Sequence, residues 1–319
     1  MNGKCVFCSS QKNRDDYMTD DIHANSYHIK SCLDCNSYFL HPLPSPELLE
    51  EAYDESYYGE GDDKFGEGWI EKIIDYFRRK RAKLISKKIN SKGKVLDIGC
   101  GNGRFLQFIK EKGDFDIYGL EMPGGSAERA KRVNGLQLKL GALEKNDYAK
   151  NQFDAVTMFH VFEHLIEPNK YLNIIDDILK PGGVLAVSFP NIASNQSRIF
   201  KGKWFHMDAP RHLFFFSSKD FKNIMKKRGY VLENEKHFSL EYNTFGFQQS
   251  LLNKVLKKRE VLYETLKGNK VYGKEYGGTN IFMQQLFFKI SAPIFICSDL
   301  VASVFSRGAT VEFVFRKVE

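Results

Sequence analysis

Val95-Leu96-Asp97-Ile98-Gly99-Cys100-Gly101-Asn102-Gly103 decides the fold. Its first half is a short apolar run of the buried-strand type, and its second half is a glycine turn leading into the helical pattern of residues 105–112. A glycine turn between a strand and a helix N-terminus lets the backbone come close to a ligand and aims N–H groups at it. A dinucleotide site wants G-x-G-x-x-G, but position 104 is Arg, so the third glycine is missing. The spacing here is D-x-G-x-G-x-G. An acid two residues ahead of the first glycine is ill placed for a pyrophosphate and well placed for a cationic ligand.

Outward from this turn, strand and helix patterns alternate. Residues 116–121 and 153–159 read as strands, 126–133 and 169–179 as helices, and Pro181-Gly182-Gly183 as the turn before a strand at 184–189. Residues 218–228 and 230–238 repeat the helix and strand. Repeated βα units predict the α/β class, a doubly wound parallel sheet of the Rossmann type. Upstream, Trp69, Ile70, Ile73, Ile74, Phe77, Leu84, Ile85 and Ile89 recur at helical spacing. Residues 309–315 alternate like a strand with one buried face, expected to return to the sheet as an antiparallel neighbour of 230–238.

The motifs in this order resemble those of the class I S-adenosylmethionine-dependent methyltransferases, over roughly residues 90–240. The resemblance implies that Asp97, Gly99, Gly101 and Gly103 form the loop holding the methionine part of the cofactor. It implies that Glu121, closing the second strand, takes the two ribose hydroxyls, as one carboxylate can accept from both. Ala142 and Leu143, in Gly141-Ala142-Leu143-Glu144, match the loop beside the adenine, where Ala142 departs from the acid often found and leaves backbone or Leu143 packing as the contact. His160, in Phe159-His160-Val161-Phe162-Glu163-His164, would border the cofactor.

Four of the six cysteines fall as Cys5-x-x-Cys8 and Cys32-x-x-Cys35, which points to one tetrahedral, structural Zn²⁺ site in a small ribbon. The chain is then expected to divide into a zinc ribbon at 1–46, a linker and N-terminal helix at 47–90, the cofactor-binding core at 91–239, a helical insertion at 240–308 and a final sheet strand at 309–319. The linker is acidic, with Tyr53, Tyr57 and Tyr58, and follows the Pro-rich exit His41-Pro42-Leu43-Pro44-Ser45-Pro46.

The composition of the 319 residues, 42% hydrophobic and 27% charged, is that of a globular chain and excludes collagen-like, coiled-coil and wholly disordered forms. The net charge of +7 hides an asymmetry, because residues 1–60 carry four Lys/Arg against eleven Asp/Glu. That acidity opposes an RNA-reading role for the ribbon, and nucleic acid is not the expected partner. The cluster Arg78-Arg79-Lys80-Arg81 with Lys83 is open to two readings, a solvated helix face or a phosphate-binding patch. The N-terminal residues lack the apolar run of a secretion signal, so a cytoplasmic location is expected.

Acceptor-binding groups in such a fold come from loops at the carboxyl ends of the strands. The richest is Trp204-Phe205-His206-Met207-Asp208-Ala209-Pro210-Arg211-His212-Leu213. His212 is the candidate general base, with Asp208 or His206 orienting it or the acceptor and Arg211 gripping an anionic group such as a phosphate or carboxylate. The other account makes the loop structural, with Arg211 paired to Asp208 and His212 capping the next helix. The four-cysteine ribbon with Pro210-Arg211-His212-Leu213 also resembles a bacterial subgroup linked to surface-polysaccharide and sugar modification. Methyl transfer to a hydroxyl of a small or glycan-type acceptor, phosphate-bearing or lipid-linked, is therefore the expected activity, with RNA methylation the alternative.

No run of about 18 apolar residues is evident, residues 290–298 being fenced by Lys289 and Asp299 and too short to cross a bilayer. Around it, Phe282, Leu286, Phe287, Ile290, Pro293, Ile294, Ile296, Leu300, Val301, Val304 and Phe305 cover most of a helix circumference, which Pro293 is expected to break or kink. Burial in a helical lid or a homodimer interface is one account of this segment. Contact with the inner face of a membrane, or with a lipid-linked acceptor, is the other.

Overall fold

The computed structural model describes residues 3–53, 68–267 and 277–318. Tyr57, Tyr58 and the rest of 54–67, the side chains of Trp69 and Ile70, and residues 268–276 lie outside the described residues. Among the described residues there are eleven strands: β1 (Asn13–Asp20), β2 (Ser26–Cys32), β3 (Tyr38–His41), β4 (Lys92–Ile98), β5 (Asp114–Glu121), β6 (Leu136–Leu140), β7 (Phe153–Phe159), β8 (Leu179–Pro190), β9 (Phe214–Phe215), β10 (Tyr230–Lys236) and β11 (Thr310–Lys317).

The residues gather into two compact units, each discontinuous in sequence. One holds Trp69–Phe189, Phe221–Glu235 and Glu312–Glu319. Its seven-stranded sheet has the order β10-β11-β8-β7-β4-β5-β6, with β6-β5-β4-β7-β8 all parallel. Both faces of the sheet are covered, so the buried lengths of β4 and β7 do not alternate and are apolar except for Asp97 and Thr157. Val95, Leu106, Ile109, Ile117 and Ala155 form one side of the core with Ala82 and Ile85 of the helix Gly68–Lys88. A second cluster stacks Phe189, Phe221, Phe313 and Phe315 edge to face or tilted, with centroids 4.8–6.0 Å apart.

Helix Arg104–Lys110 and β5 follow β4 to one side, whereas β7 pairs on its other side. The order of the strands therefore reverses at β4, and the glycine turn sits at its carboxyl end. In a doubly wound sheet this switch point is where two loops part and leave a crevice.

The other unit holds Met1–Gly68, Pro190–Asp220 and Lys236–Val311. The ribbon segment, 190–220 and the helical insertion are thus parts of one unit, where the sequence pattern divides them into consecutive blocks. Its sheet is antiparallel, ordered β1-β2-β3-β9, and Phe214 and Phe215 pair with Phe39 and Tyr38. Ile29, Leu40, Trp204, Met207 and Phe215 form its core. Buried Arg259 donates to Thr19 Oγ1 at 3.0 Å, to the Gly202 carbonyl at 2.9 Å and to the Trp204 carbonyl at 3.2 Å, tying helices to β1. Gly202 has no alternative here, since a Cβ would stand 1.8 Å from the Met18 carbonyl oxygen.

Two expectations for the insertion are corrected. Helix Gly278–Val304 runs unbroken through Pro293 for 27 residues. Its length and composition suffice to cross a membrane, because Lys289 and Asp299 are its only charges and its polar residues are spread among apolar ones. The shorter window, 290–298, stops at those charges and misses the element. Strand β6 was also not read, since Leu-Gln-Leu-Lys-Leu is brief and edge-exposed.

Phe313 is fully buried among Phe189, Phe221 and Phe315. Phe313→Ala is expected to lower unfolding free energy by about 3–5 kcal/mol, read as a shift in the urea midpoint.

Candidate functional site

The turn after β4 is stapled to the end of β5. Gly99 and Cys100 both donate their N–H to the Leu120 carbonyl, at 2.8 and 3.1 Å. Gly101 donates to Glu121 Oε2 at 2.6 Å, and Met122 donates to Glu121 Oε1 at 3.0 Å. Two of the glycines answer different demands. A Cβ on Gly99 would lie 2.3 Å from Val161 Cγ2, so Gly99 makes room for the segment after β7. Gly101, also left-handed with φ +58°, would meet nothing within 4 Å. Its face is open, as a close backbone approach to a ligand requires.

Two acids stand behind this turn. Asp97 is buried at the end of β4, its Oδ1 accepting from Thr157 Oγ1 at 2.6 Å, and burial pushes its pKa up to about 7. Burial also raises the pKa of Glu121, against the pull of the two backbone N–H groups. Each Glu121 oxygen accepts one of those bonds and keeps a lone pair for a further donor. Two buried carboxyls beside an open glycine face fit a ligand that brings positive charge and vicinal hydroxyls. The donor set therefore fits S-adenosylmethionine.

The remaining cofactor-side residues divide. His160 has a left-handed backbone, φ +54°, at the end of β7, donates its N–H to the Ser188 carbonyl at 3.0 Å and sets Nδ1 3.4 Å from Glu163 Oε1. A histidine held in that sparsely populated region marks a constrained turn. Leu143 is fully buried and its N–H is donated to Tyr171 Oη at 3.2 Å. That N–H is thus engaged inside the protein, while Ala142 is exposed with its carbonyl accepting from Lys139 Nζ at 2.9 Å.

In the other unit, the loop with His206, Asp208, Arg211 and His212 is buried and tightly wired. Arg211 and Asp208 form an ion pair, and Arg211 also donates to the Ala52 carbonyl at 3.3 Å. His212 Nδ1 lies 2.8 Å from the His206 carbonyl. A carbonyl only accepts, so Nδ1 carries the proton, while Nε2 stands 3.6 Å from Asp208 Oδ2. The Arg211–Asp208 pairing of the structural account is present. His212 does not cap the next helix, Ser218–Lys227; there the Ser217 hydroxyl accepts from the Asp220 N–H.

The four cysteines meet as the spacing predicts. Their Sγ atoms all lie within 4.8 Å of one another, Cys5 to Cys35 at 3.6 Å and Cys8 to Cys32 at 3.5 Å, with no disulfide formed. A tetrahedral ion with sulfur bonds of about 2.3 Å would hold its sulfurs roughly 3.8 Å apart, so the cluster fits one zinc. The hydrogen bond with Cys35 lowers the Cys5 pKa to about 5, and burial raises that of Cys8 to about 11.

The basic cluster is largely paired. Arg78 meets Asp75 at 2.9 Å and Glu71 at 3.2 Å, Arg79 meets Glu111 at 2.8 Å, and Arg81 meets Glu312 at 2.8 Å. Asp75 also binds the Arg104 side chain, whose residue opens the helix after the glycine turn. Of the residues picked out by helical spacing, Phe77, Ile85 and Ile89 are buried and Ile73 is exposed, and the spacing gave no sign of this link, because the partners are 29 residues apart.

Comparison with known proteins places these features in a family. The family model described as a methyltransferase domain matches residues 69–235, and the chain belongs to that family. It is 30% identical over 128 residues to the ubiquinone biosynthesis O-methyltransferase of Actinobacillus pleuropneumoniae, covering 37% of this chain and 52% of that protein. It is 25% identical over 179 residues to the cyclopropane-fatty-acyl-phospholipid synthase of Escherichia coli, covering 54% of this chain and 44% of that one. The chain thus spans about half the length of the curated relatives it matches. Among solved structures, a putative sarcosine dimethylglycine methyltransferase from Galdieria sulphuraria aligns with a TM-score of 0.47 at 16% identity, over 77% of this chain and 85% of that one.

Asp97 generates a pH prediction. With its pKa near 7, its carboxyl is mostly protonated below that value and charged above it. Adenosylmethionine affinity is expected to rise roughly tenfold from pH 6 to pH 8 if the cationic ligand needs the charged form. Calorimetric titration should show this slope in the natural protein and its loss in Asp97→Asn.

Proposed function

We propose that the chain transfers the methyl group of S-adenosylmethionine to a hydroxyl of a small-molecule acceptor. The observation carrying this reading is the Gly101–Glu121 hydrogen bond, which holds a buried carboxyl beside an open glycine face inside a methyltransferase domain. The bound cofactor supplies an electrophilic methyl on a cationic sulfur. On the protein's side, Asp97 balances positive charge, Glu121 accepts from hydroxyls, and the glycine turn lets the backbone approach. His212, its tautomer and ring orientation set by the His206 carbonyl, is the proposed acceptor-side base, with Asp208 orienting the acceptor.

A hydroxyl acceptor is supported by the name of the Actinobacillus relative, and a lipid-borne one by that of the Escherichia coli relative. A glycan acceptor rests on the subgroup resemblance alone. RNA methylation has less support, given the acidity of residues 1–60 and the internal pairing of Arg78, Arg79 and Arg81. The cysteine cluster is proposed to hold structural zinc, since four thiolates close the shell and leave no position for water.

Two measurements test these readings. Screening phenolic, lipid-linked and sugar acceptors with labelled cofactor should give label on a hydroxyl, and His212→Ala should lower that turnover by roughly a hundredfold with cofactor affinity unchanged. Label on nitrogen or carbon, or an unaltered rate, would remove the hydroxyl-and-base reading. Elemental analysis under reducing conditions should find one zinc per chain, lost in Cys5→Ser/Cys32→Ser while cofactor binding persists.

A further inference from the structure

Helix Gly278–Val304 buries mainly polar residues and exposes a row of large apolar ones. Its buried residues are Gln284, Ser291, Asp299 and Ala302. Gln248 Nε2 donates to Ser291 Oγ at 2.8 Å and to the Phe288 carbonyl at 2.7 Å, and Asn243 Nδ2 donates to Asp299 Oδ1 at 2.8 Å. Both donors belong to helix Asn243–Val255, and Phe247 of that helix stacks on Phe295 at 4.5 Å. Outward stand Phe282, Ile290, Ile294, Val301, Val304 and Phe305, with Ile290 67%, Ile294 69%, Val304 80% and Phe305 70% exposed. At about 100° per residue these six lie within roughly 80° either side of Ile290, in one stripe about 35 Å long. Scattered exposed apolar residues are ordinary, but a continuous stripe of this length is an interaction surface.

Charge chooses its occupant. Residues 251–290 carry eight Lys/Arg against three Asp/Glu. Among the described residues Lys254, Lys257 and Lys289 are exposed, and Val255, between the first two, is 69% exposed. Basic groups beside apolar ones suit an anionic lipid surface, where a lysine can lay its stem along the apolar layer and keep its ammonium among the headgroups. Pairing with a second copy is disfavoured by the same residues. A two-fold contact is self-complementary, and Lys289 lies near the midpoint of the helix, so antiparallel pairing would bring it against its own copy. Crossing the bilayer is disfavoured too, because a central Lys289 would then sit at the depth where a charge costs most.

We propose that helix Gly278–Val304 docks the protein on an anionic lipid surface, lying in its plane with the Phe282-to-Phe305 stripe in the acyl boundary. The polar groups of its opposite face stay paired with Asn243 and Gln248. This role does not depend on which acceptor is methylated.

Vesicle sedimentation of the full chain tests the proposal. The protein is expected to pellet with phosphatidylglycerol–phosphatidylcholine vesicles, less with pure phosphatidylcholine, and less as salt is raised. Ile290→Ser/Ile294→Ser/Val301→Ser should weaken binding at least about tenfold, as three exposed side chains lose their transfer into lipid. Cofactor affinity should be unchanged in that variant, which separates lost docking from lost folding. In Ile294→Trp, the new indole should shift its emission to the blue on vesicles and be quenched by brominated acyl chains. A chain that stays in the supernatant with both vesicle types overturns the proposal. So does vesicle binding that leaves the new indole unquenched, or a dimer that ignores vesicles and dissociates in the triple variant.

Discussion

The hydrogen bond from Gly101 to Glu121 is the constraint around which the cofactor-side site is arranged. A buried carboxyl at a strand end must find donors, and here they come from the backbone of the neighbouring turn. Those bonds, with the two N–H groups that Leu120 accepts, allow the turn after β4 only one path. The path requires left-handed residues, which is why glycines recur. It leaves Asp97 behind the turn and out of water, close enough to Glu121 for the two acids to repel each other when both are charged. An incoming cation relieves both the burial and the repulsion. Holding two acids together costs free energy, which a bound cation offsets.

The parts of this fold legible in sequence are those where the local pattern and the tertiary demand agree. Residues 153–159 are an apolar run because β7 is central and covered on both faces, and the strand has those bounds. Asp97, the glycines and the four cysteines could be named because their chemistry depends on short spacings, and Glu121 because the family resemblance marks the end of the second strand. Strand β9 could not, since two phenylalanines in a run of three carry no period, and their partner Phe39 is 175 positions away. The bond from the Leu143 N–H to Tyr171 is silent in sequence for a related reason, since its partner lies 28 residues away.

Helix Gly278–Val304 shows the limit of periodicity from another side. Apart from Ala302, its buried residues are polar, so a rule equating apolar with buried mistakes which face is inside. Gln248, Asn243 and Asp299 settle the matter through side-chain hydrogen bonds that only the packed pair of helices defines. Pro293 was read as a break because it removes one backbone donor, yet the rest of a 27-residue helix continues around it.

The pairing of β3 with β9 bears on how the chain is made. Cys5, Cys8, Cys32 and Cys35 leave the ribosome close together, whereas Phe214 and Phe215 follow some 180 residues later, roughly 10–35 seconds at ordinary elongation rates. For that interval the nascent hairpin has an unfinished edge, the side of β3 that β9 will cover, and such edges invite pairing with the wrong strand. An ion caught by the four thiols would hold β1, β2 and β3 in register while the rest of the sheet is still being synthesised, making the cluster a clamp on an intermediate as well as a fixture of the finished protein.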